Sequence, residues 1–215
     1  MSAPVIGYAL RGNFQVPKLS CHRAAGGAYL VSLLAVSAGC SSPVSRFQII
    51  DHAGTHETHR YSATFSEAYF DIDGLGNLDL ILRRGPDLHA ADGSEVTQLL
   101  HIRSVWRSIP GMTNANPTQV NGTICYALVG GNTGTTFEGA GSVFFDHNAD
   151  KGTLSGTVEW ALLRPRRRLS SAKPLFSHAE ISGEFHAVRD RRKVVRMVNE
   201  IDRLFRSRSA PTTSR

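Results

Sequence analysis

From Tyr61 to Val188 the chain keeps returning to one pattern: apolar and polar residues alternate, and each run ends in Gly, Asn, Asp or Pro. A period of two puts every second side chain on the same face of a pleated strand, whereas a helical face recurs every three to four residues. Tyr61, Ala63 and Phe65 alternate with Ser62, Thr64 and Ser66. Leu78, Leu80 and Leu82 share one side of residues 77–84. Residues 95–106 place Val96, Leu100, Ile102 and Trp106 on one side, interrupted by the polar Gln98 and Ser104. Residues 123–129, 136–146, 153–163 and 178–188 continue the series, so about seven or eight strands are expected.

The connections narrow the topology. Residues 129–134 and 146–152 are rich in Gly, Asn and Asp and are too short for a parallel crossover. The expectation is an all-β domain, an antiparallel up-and-down barrel or sandwich, followed by an amphipathic helix. For that helix, Asp190 supplies a cap, and Val194, Val198, Ile201 and Phe205 recur at spacings of four, three and four. With 41% hydrophobic and 20% charged residues, the composition is that of a globular chain rather than a disordered one. A short echo, Leu154-Ser-Gly-Thr-Val-Glu-Trp160 and Ile181-Ser-Gly-Glu-Phe-His-Ala187, puts a glycine inside each of two strands, where bulges or close backbone approaches occur.

Charge divides the chain in three. Residues 1–39, 40–162 and 163–215 hold three, seven and fourteen Lys/Arg against none, thirteen and five Asp/Glu. An acidic body therefore carries a basic tail, and the net charge of +6 describes neither.

Residues 24–38 are apolar and uncharged and follow Arg11, Lys18 and Arg23. Fifteen residues fall short of the roughly 20 needed to span a bilayer but suit the core of an export signal. The run ends in Ser37-Ala38-Gly39-Cys40, which resembles the lipobox of bacterial lipoproteins, where small residues precede a cysteine that is lipidated and becomes the new N-terminus. The resemblance implies lipidation of Cys40, a lipid-anchored place in the cell envelope, and, with Ser41 next, sorting to an outer membrane where two membranes exist. Two other readings stay open: cleavage after Ala38 at Val36-Ser37-Ala38, and an uncleaved anchor or buried helix. In the first reading Cys21 leaves with the leader and Cys40 carries lipid, so Cys125 is left without a disulfide partner. The expected organisation is a signal peptide at 1–39, a post-anchor linker at 40–60, the β domain at 61–188, a basic helix at 189–206 and a disordered tail at 207–215. From about residue 61 to 188 the pattern is similar in style to exported bacterial β-domains, and that likeness carries no catalytic residue.

Three groups of residues bear on chemistry. Asp71, Asp73, Asn77 and Asp79 in DIDGLGNLDLIL stand at positions one, three, seven and nine of a glycine-bent loop, similar to the calcium loops of integrin-type propeller repeats and EF-hands. Leu75 and Leu82 occupy the fifth and twelfth positions, where those loops place oxygen ligands. A plain hairpin is therefore the preferred reading, with residues 69–73 running in, 74–76 reversing and 77–84 running out. His52, His56 and His59 suit zinc or copper as residue types, but not at the spacing of a zinc protease. They are expected in a solvated segment.

The third group is cationic. Arg164, Arg166, Arg167, Arg168 and Lys173 are expected in an exposed loop, and Arg191, Arg192, Lys193, Arg196 and Arg203 on the polar side of the helix. Arg166, Arg167, Arg168, Arg191, Arg192, Lys193 and Arg196 are the candidates for contact with anionic lipid or another envelope polymer; nucleic acid is disfavoured by the export signal.

Glu159 and Glu184 occupy related places in the echoing strands, as a glycosidase pair would, although solvent-facing glutamates are the default there. Ser170 stands three residues before Lys173 without the companion motifs of serine acyl-enzymes. No cofactor is implied. The expectation is a membrane-anchored, non-catalytic binding or structural module. Its alternatives are a lipocalin-like barrel for a small apolar ligand, lined by Trp106, Phe144, Trp160 and Phe185, and a metal-dependent hydrolase.

Overall fold

The computed structural model describes residues 44–52, 58–84, 94–104, 120–131, 133–170 and 174–206. They form nine strands and one helix: β1 (Ser45–Asp51), β2 (His59–Phe65), β3 (Glu67–Ile72), β4 (Leu78–Arg84), β5 (Val96–Ser104), β6 (Gly122–Gly130), β7 (Thr133–Asn148), β8 (Thr153–Arg168), β9 (Ala179–Arg189) and α1 (Arg191–Arg206). All nine strands belong to one sheet in the order β2-β1-β9-β3-β4-β5-β6-β7-β8, and β8 also pairs with β9. Hydrogen-bonded pairing from β3 through β8 thus returns to β9, which touches β3 again.

The sheet is mixed, where an antiparallel one is expected from the short connections. The exception is β3 with β9, which run parallel through Tyr69↔Val188 and Phe70↔Arg189. The reason lies in Ser66. One residue cannot reverse a chain, so β3 keeps the direction of β2. Because β2 is antiparallel to β1 and β1 is antiparallel to β9, β3 must meet β9 parallel. Short connections exclude parallel pairing between strands adjacent in sequence, but not between distant ones.

The expected linker at 40–60 contains a strand. In β1, Phe47 and Ile49 alternate with exposed residues, and Ile49 lies between Tyr61 of β2 and Ile181 of β9. A second difference is the length of β8. The expected strand ending at 163 continues to Arg168, because β7 is long enough to pair it: Thr136 faces Arg167 and Thr135 faces Arg168. The arginines expected in an exposed loop therefore lie on a strand. Beyond Leu163 that strand no longer pairs with β9, whose pairing begins at Ala179. Pro165, which has no N–H to give, falls in this one-sided stretch.

Period two sorts the core into two layers. Leu78, Leu80 and Leu82 of β4, Leu100 and Ile102 of β5, and Ile124 and Tyr126 of β6 pack on one face with Phe70, Phe137, Phe145, Val158, Ile181 and Phe185. Ile81, Leu99, Ala127 and Val129 point the other way and meet Val194, Met197, Ile201 and Phe205 of α1. The helix begins as expected: Asp190 Oδ1 accepts from the Lys193 N–H at 3.0 Å. Its apolar seam uses Met197, with Val198 half-buried beside it.

Bulges interrupt β7–β8 at Thr136/Phe137 and Ser142/Val143, and β8–β9 between Val158 and Ala161. Glycines accompany them. A Cβ on Gly139 would collide with the Leu162 carbonyl, and one on Gly156 with the Phe144 carbonyl and the Phe185 ring. These are close strand approaches that a larger residue would force apart.

Candidate functional site

DIDGLGNLDLIL is a hairpin. Ile72 pairs with Leu78 and Asp71 with Asp79, and the Gly76 N–H donates to the Asp73 carbonyl at 3.0 Å. Gly76 has a φ of 84°, which favours glycine there. The Asp73 carboxylate closes the turn on itself: Oδ1 accepts from the N–H of Leu75 (2.8 Å) and of Asn77 (2.9 Å), and Oδ2 from the Asn77 amide (2.9 Å). These bonds, the Asn77 side chain first, hold its carboxyl below the ordinary carboxylate range. Asp71 faces Arg189 and Arg191 at 3.6 and 3.7 Å. Asp79 faces His101 at 3.0 Å and Arg103 at 3.6 Å, and the His101 hydrogen bond is the first cause of its lowered pKa. The three carboxylates are thus each engaged by neighbouring donors or cations.

His52 and His59 stand at opposite ends of the β1–β2 connection, with His52 3.8 Å from Glu180 and His59 across from Asp51. His56 lies outside the described residues. Among the described residues no three His, Cys, Asp or Glu side chains gather as a metal site would require. Glu159 and Glu184, the sequence's carboxylate pair, line one open groove of about 630 Å³ on β2, β1, β9 and β8, together with Arg46, Gln48 and several hydroxyl side chains. Thr157 donates to Glu159 at 3.4 Å, and Glu184 pairs in register with Arg46 and Thr157. Both glutamates are exposed.

Cys125 is half-buried. Burial first, and the Glu138 carboxylate second, push its thiol up to about 11. Cys40 and the expected leader lie outside the described residues, as do Lys173 and the expected tail at 207–215. Among the described residues no helix is long and apolar enough to cross a membrane.

The aromatic residues proposed to line a ligand cavity separate. Phe185 is core, Phe144 and Trp160 are half-buried outside that cluster, and Trp106 lies outside the described residues. Instead Phe176, just before β9, stacks on Phe137 at 3.7 Å between ring centroids and lies parallel to Tyr126 at 6.3 Å.

The cations divide into half-buried braces and solvent-exposed residues. Arg167 reaches Glu138 at 3.8 Å and Asp202 at 3.3 Å and lies 5.6 Å over the Phe205 ring, so it ties β8 to α1. Arg166 approaches Glu138 at 3.9 Å, and Arg168 is exposed. Lys193 donates to the Tyr69 hydroxyl at 2.6 Å and lies over its ring. That bond is the first cause of its raised pKa. By contrast Arg191, Arg192, Arg196, Arg203 and Arg206 are all exposed on α1. The sequence reading places Arg203 on the polar side of the helix without counting it among the contact candidates and omits Arg206; the helical period finds Arg206 once the buried seam at Val194, Met197, Ile201 and Phe205 is known.

No protein-family model, curated protein or solved structure matches this chain.

Proposed function

We propose that the chain is an exported, lipid-anchored, non-catalytic binding or structural module of the bacterial cell envelope, with a β-barrel body. The barrel is our reading of pairing that runs from β3 to β9 and meets β3 again, which leaves few strand edges open. The anchor is Cys40, at the end of the lipobox-like Ser37-Ala38-Gly39-Cys40.

One structural observation carries the proposal furthest. The first described strand starts at Ser45, five residues beyond Cys40, and is clamped between β2 and β9. A lipid on Cys40 would hold the body within about 18 Å of the membrane surface. The state of Cys125 supports the same assignment, since a half-buried thiol with a raised pKa is a poor acyl acceptor. Several acyl chains, as bacterial lipoproteins carry, make such an anchor firm where one chain is marginal.

Mass spectrometry of the mature N-terminus tests this directly. The expected species begins at an acylated Cys40, and Cys40→Ser moves the protein out of the membrane fraction. An intact Met1 in the soluble fraction would overturn the proposal.

A further inference from the structure

We propose that the Phe176 side chain fills a binding slot for a small aromatic ammonium compound, and that such a ligand displaces it. The inference deepens the binding part of the reading above, rests on that part, and is independent of the lipid anchor.

Phe176 belongs to residues 174–178, which lead into β9 without strand or helix. Its side chain is 2% exposed. The ring stacks on Phe137 at 3.7 Å, lies parallel to Tyr126 at 6.3 Å and tilts against Tyr61 at 6.4 Å. The backbone that carries it is held far less. Among the described residues, 174–177 make no backbone hydrogen bond; the segment is fixed where the His52 N–H donates to the His178 carbonyl at 2.9 Å. A strand residue that leaves its place breaks a ladder, whereas this segment gives up mainly apolar contact. Phe176 is thus a core aromatic that can withdraw without disturbing the sheet.

Two buried oxygens near the ring lack donors. Asp51 ends β1 on the same face as Phe47 and Ile49 and pairs in register with Ala179, three residues after Phe176. It is 2% exposed. Burial first, and the Asp51 carboxylate second, push the Tyr61 phenol above its ordinary pKa, so the carboxylate acts on the same aromatic group. Gln98, 6% exposed, stands opposite Leu128 and two residues from Leu100, which pairs with Tyr126. Among the described residues, Asp51 Oδ1 and Gln98 Oε1 have no hydrogen-bond partner. A buried acceptor without a donor is costly, most of all a charged one, and the phenyl ring of Phe176 supplies a donor to neither.

The ligand chemistry follows from what Phe176 does not provide. Tyr61, Tyr126 and Phe137 offer ring faces, so a flat ring of about phenyl size keeps the stack. Both unpartnered atoms are acceptors and one belongs to a carboxylate, so the ligand carries donors and a positive charge. The aromatic faces favour the same charge. Arg84 lies opposite Gln98 on β4 and adds positive charge on that side, so the ammonium belongs with Asp51 and Gln98 takes a neutral donor. A carboxylate ligand would be repelled by Asp51, and a purely apolar one would leave both oxygens unpaired.

The test is titration calorimetry on the full chain with tyramine, which has ring, ammonium and hydroxyl, and with tyrosol, its neutral alcohol counterpart. We expect saturable binding of tyramine and a clear preference for it over tyrosol. Asp51→Asn should weaken tyramine about 10- to 100-fold and remove the preference, and Gln98→Met should weaken it about fivefold. Phe176→Leu keeps an apolar residue and loses the stack; tyramine should bind it about tenfold more tightly, because the slot is more often open. Leu78→Ala opens a void at the other end of β4 from Arg84 and should gain no tyramine preference, which separates the slot from any core cavity. Nuclear Overhauser contacts should place the tyramine ring against Phe137. Circular dichroism of each variant checks the fold. No saturable binding, equal affinity for tyrosol, a preference that survives Asp51→Asn in a folded protein, or ring contacts elsewhere overturns the proposal. Tyramine binding by a chain with unmodified Cys40 would remove the anchor and leave the slot standing; an acylated chain that binds no tyramine would do the reverse.

Discussion

Two arginine-rich segments of this chain look alike as text and behave differently as structure. On β8, Arg164, Arg166, Arg167 and Arg168 crowd five positions of a strand; on α1, five arginines spread over sixteen. Next to the Thr136/Phe137 bulge, Arg167 is directed at Glu138, Asp202 and Phe205 and becomes a brace. On the helix, a period of 3.6 collects the arginines on the side that the apolar seam leaves outside. A basic run read as one feature thus divides by secondary structure into cations that hold the protein together and cations that face solvent.

The comparison can be broken most severely at the platform. Met197→Ala removes a side chain that is 1% exposed between helix and sheet and should cost about 2–5 kcal/mol by chemical denaturation. The exposed arginines of α1 should lose their order in parallel, with less helix by circular dichroism. If stability is unchanged, α1 is not docked as described. Asp190→Ala removes the cap that accepts from the Lys193 N–H and should cost about 1 kcal/mol. The direct contrast is Arg167→Ala against Arg192→Ala. The first loses two ion pairs and an aromatic contact, all partly exposed, and should cost about 1 kcal/mol; the second should lie within about 0.5 kcal/mol of wild type. Equal effects would erase the distinction between bracing and exposed arginines.

The smallest effect is that of pH. Asp79 has a folded pKa below its ordinary value, about 3.9, with the His101 hydrogen bond as first cause. Its contribution is present above that ordinary value and is lost as pH falls through the lower folded value. Asp79→Asn should therefore reduce stability at neutral pH and flatten the acid dependence of the denaturation midpoint. An acid limb identical in the two proteins would count against the pair. On the partner strand of the same hairpin, Asp71 faces Arg189 at the end of β9 and Arg191 at the start of α1, which ties the charge balance of this region to the helix.

Much of the strand pattern was legible, and for one reason. Leu78, Leu80 and Leu82 reach one core at a spacing that needs no tertiary information, and Gly74 to Gly76 mark the reversal before them. Gln98 and Ser104, which break the apolar pattern, are still buried on that face: Ser104 Oγ donates to the Asn121 carbonyl at 3.2 Å. The misreadings share a cause too. β1 is short and adjoins a polar, His-containing segment, so it looks like a linker until β9 is placed beside it. Residues 164–168 look like a loop because arginine and proline rarely fill a central strand, and this stretch pairs on one side only. The carboxylates of DIDGLGNLDLIL have calcium-loop spacing, but the cations that engage Asp71 and Asp79 come from β5, β9 and α1, distant in sequence.

What the sequence determined by itself is therefore local: the alternation of the strands, the glycine turn and the capped amphipathic helix. Each depends on residues within about one turn or one strand of one another. Only the tertiary structure decided that β3 meets β9 parallel, that Glu159 and Glu184 share a groove, and that Arg167 binds inward while Arg192 and Arg196 stay outside. Those outcomes depend on which surfaces meet once the chain is closed, and a periodic pattern says which side a residue is on but not what will lie against it.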